Sequence, residues 1–499
     1  MLRLITNGAS PGAWTAGFLL LLSACASHAA DEPAPVAEAA PVAEAAPVAV
    51  TQPPSPAAVA AIMGNDRLPD IGTRKQGIDW PSFLGPSRDS KSPEKGIQWP
   101  PKLLWSRDLG VSYDIGSIAA GRYYQYDRFD DICRLDCLNA ETGEELWKFE
   151  HPVSYDDLYG YNGGPRCSPV IDGNRVYIFG VAGMLHCLQA SDGKLLWKHD
   201  TNKEFGVVQN FFGVGSTPMI EGDLLLVMIG GSDALSQAAP PGQLDRVEGN
   251  GSGIVAFDKR TGEIKYKITD ELASYSCIQT AAIAGRRWGF AFCRGGLVGF
   301  EPQTGKVDFE FPWRARIMES VNAATPVVVG NQVLISETYG PGAALLSVAP
   351  GEFKEVWADD PREREKKLQT HWNTPIEVDG YVYGSSGRHT ENAELRCLDW
   401  KTGEVKWTQP ATTRTSLLYV DGHFINQGEY GNLQLLKVNP EKYELVNELI
   451  LREEKVQPGF AEAMPLLRYP CWSAPVLSHG LLYVRGKDKL LCLELIPEK

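Results

Sequence analysis

The chain has 499 residues and a formal net charge of −14, from 48 Lys and Arg against 62 Asp and Glu. This acidic balance argues against a nucleic-acid partner, because surfaces that follow a phosphate backbone are basic. Hydrophobic residues make up 43% of the chain and charged residues 22%, so we expect a large buried core, and an intrinsically disordered protein is excluded.

The first 24 residues are typical of a signal peptide. Their apolar run, residues 16–22, is too short to span a bilayer, which takes about 20 helical residues. Leu22-Ser23-Ala24-Cys25 resembles the lipobox of bacterial lipoproteins and predicts lipidation at Cys25. The alternative is ordinary signal cleavage after Ala29. No later apolar stretch approaches 18 residues, so we expect no transmembrane helix and place the exported protein in the periplasm or cell envelope.

A Pro/Ala-rich tract follows the signal, with Pro-Val-Ala-Glu-Ala-Ala occurring twice over residues 35–46. Such a tract buries nothing and forms an extended, semi-stiff spacer. We therefore assign residues 25–75 to a tether and residues 76–499 to one folded domain.

A repeated unit runs through that domain. Its first marker is a turn glycine with an aromatic residue four positions later, as in Gly143/Trp147, Gly193/Trp197, Gly262/Tyr266, Gly305/Phe309 and Gly403/Trp407. Its second marker is a small residue, a proline and an apolar residue at a strand start, at Pro169, Pro218, Pro326, Pro375 and Pro475. A hairpin turn and an alternating apolar strand separate the two markers, so the unit is a four-stranded antiparallel meander.

The period of the repeat predicts the architecture. Most turn glycines are 43 to 52 residues apart, and the one step of 69 residues contains a Pro/Gly-rich insertion at residues 238–242. Four strands at this period are typical of propeller blades. The last copy lacks its aromatic strand, whereas residues 102–105 supply such a strand, with Trp105, before the first copy. We predict an all-β fold, an eight-bladed β-propeller closed by this N-terminal strand.

Cysteine placement argues against a disulfide framework. Cys137, Cys187, Cys397 and Cys492 occupy the same point of the repeat, as small buried strand residues do. No Cys-x-x-Cys motif occurs, so a structural zinc site is not supported.

The repeat also resembles a known family. Leu-Asp-Cys-Leu-Asn-Ala-Glu-Thr-Gly-Glu-Glu-Leu-Trp at residues 135–147 is similar to the pyrroloquinoline-quinone (PQQ) repeat of eight-bladed propellers. That family includes quinoprotein alcohol dehydrogenases and the non-enzymatic propeller lipoprotein BamB of the outer-membrane β-barrel assembly machinery. The opening segment Asp79–Pro86 is similar to the start of many exported bacterial members. The resemblance implies a fold far better than a function.

Two functions remain open. The first is a binding or scaffold module without a cofactor, whose mouth takes an envelope protein, a glycan or a small molecule. The second is a PQQ-dependent alcohol dehydrogenase-like oxidoreductase, for which the resemblance implies PQQ and calcium near the ring axis. The dehydrogenase relatives clamp the quinone with a disulfide between adjacent cysteines, and this sequence has no Cys-Cys pair. We therefore favour the binding module.

Candidate ligand-binding residues precede the proline markers, where the innermost strand of each blade meets one end of the channel. Arg166, Trp372 and Trp472 stand three residues before their prolines, and alignment of the turns adds Arg414. Guanidinium groups beside indole rings suit an anionic or planar ligand.

Neighbouring residues suggest further roles. His371 can act as a base, and Glu319 with Asn322 can hold a cation such as calcium in the enzyme hypothesis. Ser386-Gly387-Arg388-His389 is either a plain hairpin turn or a loop at the same mouth. The simpler explanation of the whole set is that these polar groups satisfy one another around a water-filled channel.

Overall fold

The computed structural model describes residues 66–456 and 461–498. The predicted signal peptide, Cys25 and most of the predicted tether lie outside these residues. No helix within the described part of the chain is long and apolar enough to cross a membrane. The predicted propeller is confirmed, because the strands form eight sheets, each with a four-stranded antiparallel blade, and one of the sheets carries an additional parallel strand.

Two short N-terminal strands, β1 (Lys91–Ser92) and β2 (Lys102–Asp108), precede the first blade. Blade 1 contains β3 (Ser117–Ala119), β4 (Arg122–Phe129), β5 (Ile132–Asn139) and β6 (Glu145–Pro152). Blade 2 contains β7 (Val170–Asp172), β8 (Arg175–Phe179), β9 (Met184–Gln189) and β10 (Leu195–Asp200). Blade 3 contains β11 (Met219–Glu221), β12 (Leu224–Met228), β13 (Ile254–Asp258) and β14 (Ile264–Ile268). Blade 4 contains β15 (Gln279–Ile283), β16 (Arg286–Phe292), β17 (Gly296–Phe300) and β18 (Val307–Pro312).

The second half repeats the pattern. Blade 5 contains β19 (Val327–Val329), β20 (Gln332–Glu337), β21 (Gly342–Ala349) and β22 (Glu352–Ala358). Blade 6 contains β23 (Ile376–Val378), β24 (Tyr381–Ser386), β25 (Glu394–Asp399) and β26 (Val405–Pro410). Blade 7 contains β27 (Thr415–Val420), β28 (His423–Gly428), β29 (Asn432–Lys437) and β30 (Leu445–Ile450). Blade 8 contains β31 (Val476–Ser478), β32 (Leu481–Arg485) and β33 (Lys489–Glu494). The helices are α1 (Thr201–Phe205) and the 3-10 turns Ser236–Ala238, Leu244–Arg246 and Thr390–Asn392.

The ring closes as the sequence predicted. Strand β2 pairs antiparallel with β33 and becomes the outer strand of blade 8, with Trp105 opposite Cys492. The first and last parts of the domain therefore share one sheet, so neither is left as a free sheet edge.

Indole rings seated on turn glycines join neighbouring blades. Gly193 has a φ of +77°, which glycine adopts without strain, and a Cβ there would lie 2.6 Å from the Trp147 ring of the preceding blade. The Trp147 indole N–H then donates to the Ala190 carbonyl at 3.2 Å. The same donation recurs from Trp105 to Ala140, Trp197 to Lys259, Trp357 to Trp400 and Trp407 to Asn439. Trp147, Trp197 and Trp407, which belong to the first marker of the repeat, therefore pack between neighbouring blades.

The chain before blade 1 packs on the propeller from residue 66 onward. The Ile71 amide donates to the Ala120 carbonyl at 3.2 Å, Arg74 pairs with Glu494 at 2.9 Å, and Asp66 pairs with Arg175. These contacts hold residues 66–75, which the sequence analysis placed at the end of the tether, against the propeller. The predicted boundary at residue 75 therefore lies inside a segment that contacts the blades.

Residues 78–92, the N-terminal plug, cross one end of the central channel. Hydrogen bonds join the plug to the inner strands of blades around the ring: Trp80 to Ile118, Pro81 to Ile171, Arg88 to Ile278, Ser90 to Tyr419 and Ile78 to Ser478. Strand β1 extends the plug along β27 in a parallel pair. The plug thus closes the channel on this side.

The nine cysteines of the described chain are buried and unpaired, as expected for small strand residues in the core.

Candidate functional site

A cavity of about 340 Å³, here called the cup, occupies the other end of the channel. Each blade contributes the residues just before its first strand, and alternate side chains point into the channel. The level farther from the plug consists of Tyr113, Arg166, Gly215, Tyr275, Ala323, Trp372, Arg414 and Trp472. The level nearer the plug consists of Ile115, Ser168, Thr217, Cys277, Thr374, Ser416 and Ala474. Rings and guanidinium groups therefore make up most of the level at the mouth, and mostly small side chains make up the level at the base.

The floor of the cup is formed by the plug. Phe83, Leu84 and Ser90 line the cavity from this side, and Leu84 and Ser90 are 4% and 2% exposed. The opposite side is open, since Tyr159 and Tyr161 line the cup and remain 50% and 52% exposed. The cup is therefore blind, with one mouth.

The structure brings the predicted residues Arg166, Trp372, Arg414, Trp472 and His371 together in this cup. Arg414 lies 4.6 Å from the centre of the Trp372 ring and 5.2 Å from that of Trp472. The two indoles are 4.8 Å apart, centre to centre. Arg166 lies across the cup, 5.3 Å from the Tyr113 ring, which is itself 5.1 Å from Trp472. Both cations thus lie against aromatic faces at the mouth.

Two of the arginines are held by buried carboxylates. Arg166 pairs with Asp157 at 2.9 Å, and the Asp157 side chain is 2% exposed. Arg414 donates to both oxygens of the fully buried Glu429, which also accepts the Trp472 indole N–H at 3.1 Å. Although burial alone would raise it, these hydrogen bonds hold the pKa of Glu429 below its usual range. Both guanidinium groups are therefore fixed in place with their charges balanced.

His371 is neutral in this environment. Burial, and then the nearby Arg414 and Arg388 cations, lower the pKa of His371 to about 3. Its Nε2 is 3.1 Å from the Tyr339 hydroxyl, whereas its Nδ1 is buried without a partner. Burial raises the pKa of Tyr339 to about 12, so that hydroxyl stays protonated. A pKa this low does not suit His371 to the role of a base at neutral pH.

Glu319 and Asn322 do not form a cation site together. Glu319 is exposed and lines the mouth of the cup. Asn322 is buried, and its amide donates to the carbonyl of Cys293 at 2.7 Å. No group of three or more His, Cys, Asp or Glu side chains within residues 66–456 and 461–498 is arranged to bind a metal ion.

Much of the cup wall comes from loops that the repeat does not predict. Tyr159 and Tyr161 come from the loop between β6 and β7, Phe211 and Phe212 from the loop before β11, and Tyr339 from the turn between β20 and β21. Their signal in the sequence is aromatic pairs within connections that are otherwise polar and glycine-rich. The segment 386–389 connects β24 to β25 and also brings Arg388 and His389 to the cup.

These features define an eight-bladed β-propeller with a blind, arginine- and aromatic-lined cup on its axis. Residues 133–409, more than half of the chain, match the PQQ-like family model described as outer membrane protein assembly factor BamB. The chain belongs to this family. No curated protein sequence matches it significantly.

The chain is also similar to solved structures at low sequence identity. BamB from Moraxella catarrhalis is 14% identical, with a TM-score of 0.49 over 79% of this chain and 97% of that one. Quinohemoprotein alcohol dehydrogenase from Comamonas testosteroni is 13% identical, with a TM-score of 0.46 over 89% and 85% of the two chains.

The residues of the cup do not fit a quinone held by calcium. The aromatic rings and guanidinium groups suit a flat anion, but calcium prefers six to eight oxygen ligands. Glu319 is the one exposed carboxylate among the residues that line the cup, and the Asn322 amide is directed to backbone carbonyls instead. The sequence also lacks adjacent cysteines.

Proposed function

We propose that this chain is an exported envelope protein whose propeller binds a small molecule with a flat aromatic body in the cup. The observation that carries the proposal is that three arginines each lie against an aromatic ring in a cavity that the chain's own plug closes at one end. Concave, mostly apolar sites with a few convergent polar groups are the usual form of a ligand pocket. The family description, which refers to the outer membrane, supports the envelope location.

The fixed arginines explain why the cup suits a flat ligand. Arg414 is held over Trp372 and Trp472 by Glu429, so the mouth keeps its shape before a ligand arrives. A preorganised wall loses little side-chain freedom on binding. A flat aromatic body can then stack on the indole and phenol rings, each such pair adding about 0.5–1.5 kcal/mol beyond the burial of its area.

Filling the cup tests this function. Ala323 lines the cavity and is half-buried, so Ala323→Trp places a ring in the void while the blade core is untouched. We expect 2-naphthoate, 2-naphthalenemethanol or both to bind the full chain by titration calorimetry, and Ala323→Trp to abolish that binding. The matched control Ala238→Trp changes an exposed residue that does not line the cup and should bind as the parent does. Equal binding by Ala323→Trp and the parent would contradict the proposal.

The proposal requires no bound quinone or calcium. Stoichiometric uptake of PQQ with calcium, followed by alcohol-dependent reduction of an artificial dye, would overturn this part in favour of an oxidoreductase. We expect neither, because the cation ligands are not assembled in the cup.

A second candidate function is docking of another envelope protein on the rim of the cup. Seven large apolar residues around the mouth, called the rim, are exposed: Leu158, Tyr159, Tyr161, Ile317, Met318, Tyr430 and Tyr469. Exposed apolar patches of this kind mark interaction surfaces, and the family description names an assembly factor. A photo-crosslinker in place of Tyr430 should trap one discrete envelope protein, and the same group in place of the exposed Arg362 should not. Identical products from both positions would exclude a rim-specific partner.

A further inference from the structure

The three arginines of the cup are not equivalent. Arg166 and Arg414 each pair with a buried carboxylate. Arg388 is half-buried and stacks on the Tyr339 ring at 4.4 Å, but it has no carboxylate partner among the described residues. Arg388 is therefore the cation of the cup whose charge the surrounding chain leaves unbalanced.

An unpartnered donor lies in the same part of the wall. The Trp372 indole nitrogen, which can only donate, is buried without a hydrogen-bond partner. Buried polar groups are nearly always paired in folded proteins. The unpaired Nδ1 of the adjacent His371 adds a second buried polar atom without a partner. The three residues that carry these groups, Arg388, Trp372 and His371, all line the cup.

Tyr339 holds this arrangement together. Its ring carries the Arg388 guanidinium, and its hydroxyl bonds to His371, whose ring lies 4.8 Å from that of Trp372. The residues come from neighbouring parts of blades 5 and 6, so their relative positions depend on well-packed strands. Tyr339 is a positioning residue for the groups on either side of it.

We propose that Arg388 and the Trp372 indole N–H form a carboxylate-binding subsite, so that the ligand of the cup is an aromatic monocarboxylate. This inference rests on the proposed function of the cup. A guanidinium group presents two parallel N–H donors that match the two oxygens of a carboxylate. The indole N–H supplies a further donor, and the flat body of the ligand stacks on the rings of the mouth.

Charge favours a carboxylate over a phosphate. Arg388 contributes one uncompensated positive charge, His371 is neutral, and the exposed carboxylate of Glu319 lines the same mouth. A dianion would therefore carry one charge more than the subsite balances, next to a negative side chain. A monoanion matches the single guanidinium.

The test compares three ligands that share one body: 2-naphthoate, 2-naphthalenemethanol and 2-naphthyl phosphate. Titration calorimetry on the full chain should show 2-naphthoate binding most tightly. Arg388→Gln should weaken 2-naphthoate about tenfold to hundredfold, the usual effect of losing a charged hydrogen-bond pair, and should weaken the uncharged 2-naphthalenemethanol far less. Trp372→Phe, which keeps a ring but removes the N–H, should weaken 2-naphthoate about twofold to tenfold.

Two further variants sharpen the result. Glu319→Gln should strengthen 2-naphthoate a few-fold by removing the opposing charge, and Arg362→Gln, which removes an arginine that is 89% exposed and outside the cup, should change nothing. Thermal unfolding at the parent temperature shows that each variant is folded.

The outcomes separate the two proposals. Equal affinity for 2-naphthoate and 2-naphthalenemethanol, or no effect of Arg388→Gln, overturns the carboxylate subsite and leaves the cup as a binding site. Tighter binding of 2-naphthyl phosphate also overturns it. Failure of every probe to bind removes the proposed function together with the subsite.

Discussion

Arg485 is the buried cation at the junction of blades 8 and 1, and its removal should destabilise the ring strongly. It donates to the Asp114 carbonyl at 2.8 Å and to a carboxylate oxygen of Asp127 at 3.3 Å. The side chains of Asp114, Asp127 and Arg485 are 0%, 1% and 2% exposed. Burial, and then the neighbouring Asp127, raise the pKa of Asp114 well above its usual value. One guanidinium group thus serves two buried carboxyl groups.

The loss in the free energy of unfolding expected for Arg485→Met follows from the proton that the folded variant must take up. Without the guanidinium group, a carboxylate that was charged must be buried as the neutral acid. Holding a carboxyl group of ordinary pKa protonated at pH 7 costs about 4 kcal/mol, from about 1.36 kcal/mol per pH unit over about three units. This agrees with the roughly 3–5 kcal/mol lost when one partner of a buried ion pair is removed.

Uptake of the same proton determines how the stability of the variant depends on pH. Between about pH 4 and pH 7 the folded variant binds one more proton than the folded parent, whereas the two unfolded chains bind the same number, so the stability lost in the variant grows as the pH rises. We expect the free energy of unfolding to drop by about 4 kcal/mol at pH 7 and by only about 1–2 kcal/mol at pH 5. Urea unfolding of the parent and the variant at both pH values measures this.

Two controls make the result decisive. Arg362→Met alters an exposed arginine and should change the free energy of unfolding by less than about 0.5 kcal/mol. Asp114→Asn leaves Arg485 with a single carboxylate and should cost less than Arg485→Met. An equal loss at pH 5 and pH 7, or a loss no larger than that of Arg362→Met, would refute the reasoning.

Three other changes test separate parts of the account. Gly193→Ala should lower the free energy of unfolding by about 1–3 kcal/mol, because φ is +77° and the new Cβ meets Trp147; urea unfolding measures this, and parent-like stability would contradict the indole-on-glycine packing. Trp105→Ala should cost about 3 kcal/mol or more by weakening the closure of blade 8, and an unchanged melting temperature would contradict that closure. Cys25→Ser should move the protein from the membrane to the soluble fraction, and mass spectrometry showing an unmodified chain beginning at Ala30 in the parent would reject the lipid anchor.

The fold was predictable because its determinants are local and repeated. The pairing of Gly193 with Trp147 depends on a turn and a strand that every repeat preserves, so the contact appears in the sequence as a period. The missing strand of blade 8 was found by the same logic. The plug has no counterpart in the repeat, and its hydrogen bonds reach residues as distant in sequence as Tyr419. No sequence pattern therefore predicted it.

The site was predictable to the extent that it follows the repeat. Arg166, Trp372, Arg414 and Trp472 stand at one position of the unit, and symmetry brings them to one level of the channel. Asn322 lies one residue before that position, which Ala323 occupies in its blade. Because alternate residues point to opposite sides, its amide is directed into the protein. Arg388 comes from a loop outside this position, and only the three-dimensional arrangement shows that its charge is unbalanced.

The plug also determines how a ligand enters and leaves the cup. Because Phe83 and Leu84 close the far end of the channel, a molecule leaves the cup by the opening through which it came. A polypeptide bound to the rim would slow the entry and the exit of a ligand equally. A bound molecule would then stay longer and the next would arrive later, while the equilibrium affinity would not change. Occupancy of the rim would then control the rates of binding and release at the cup, with no conformational change in the ring.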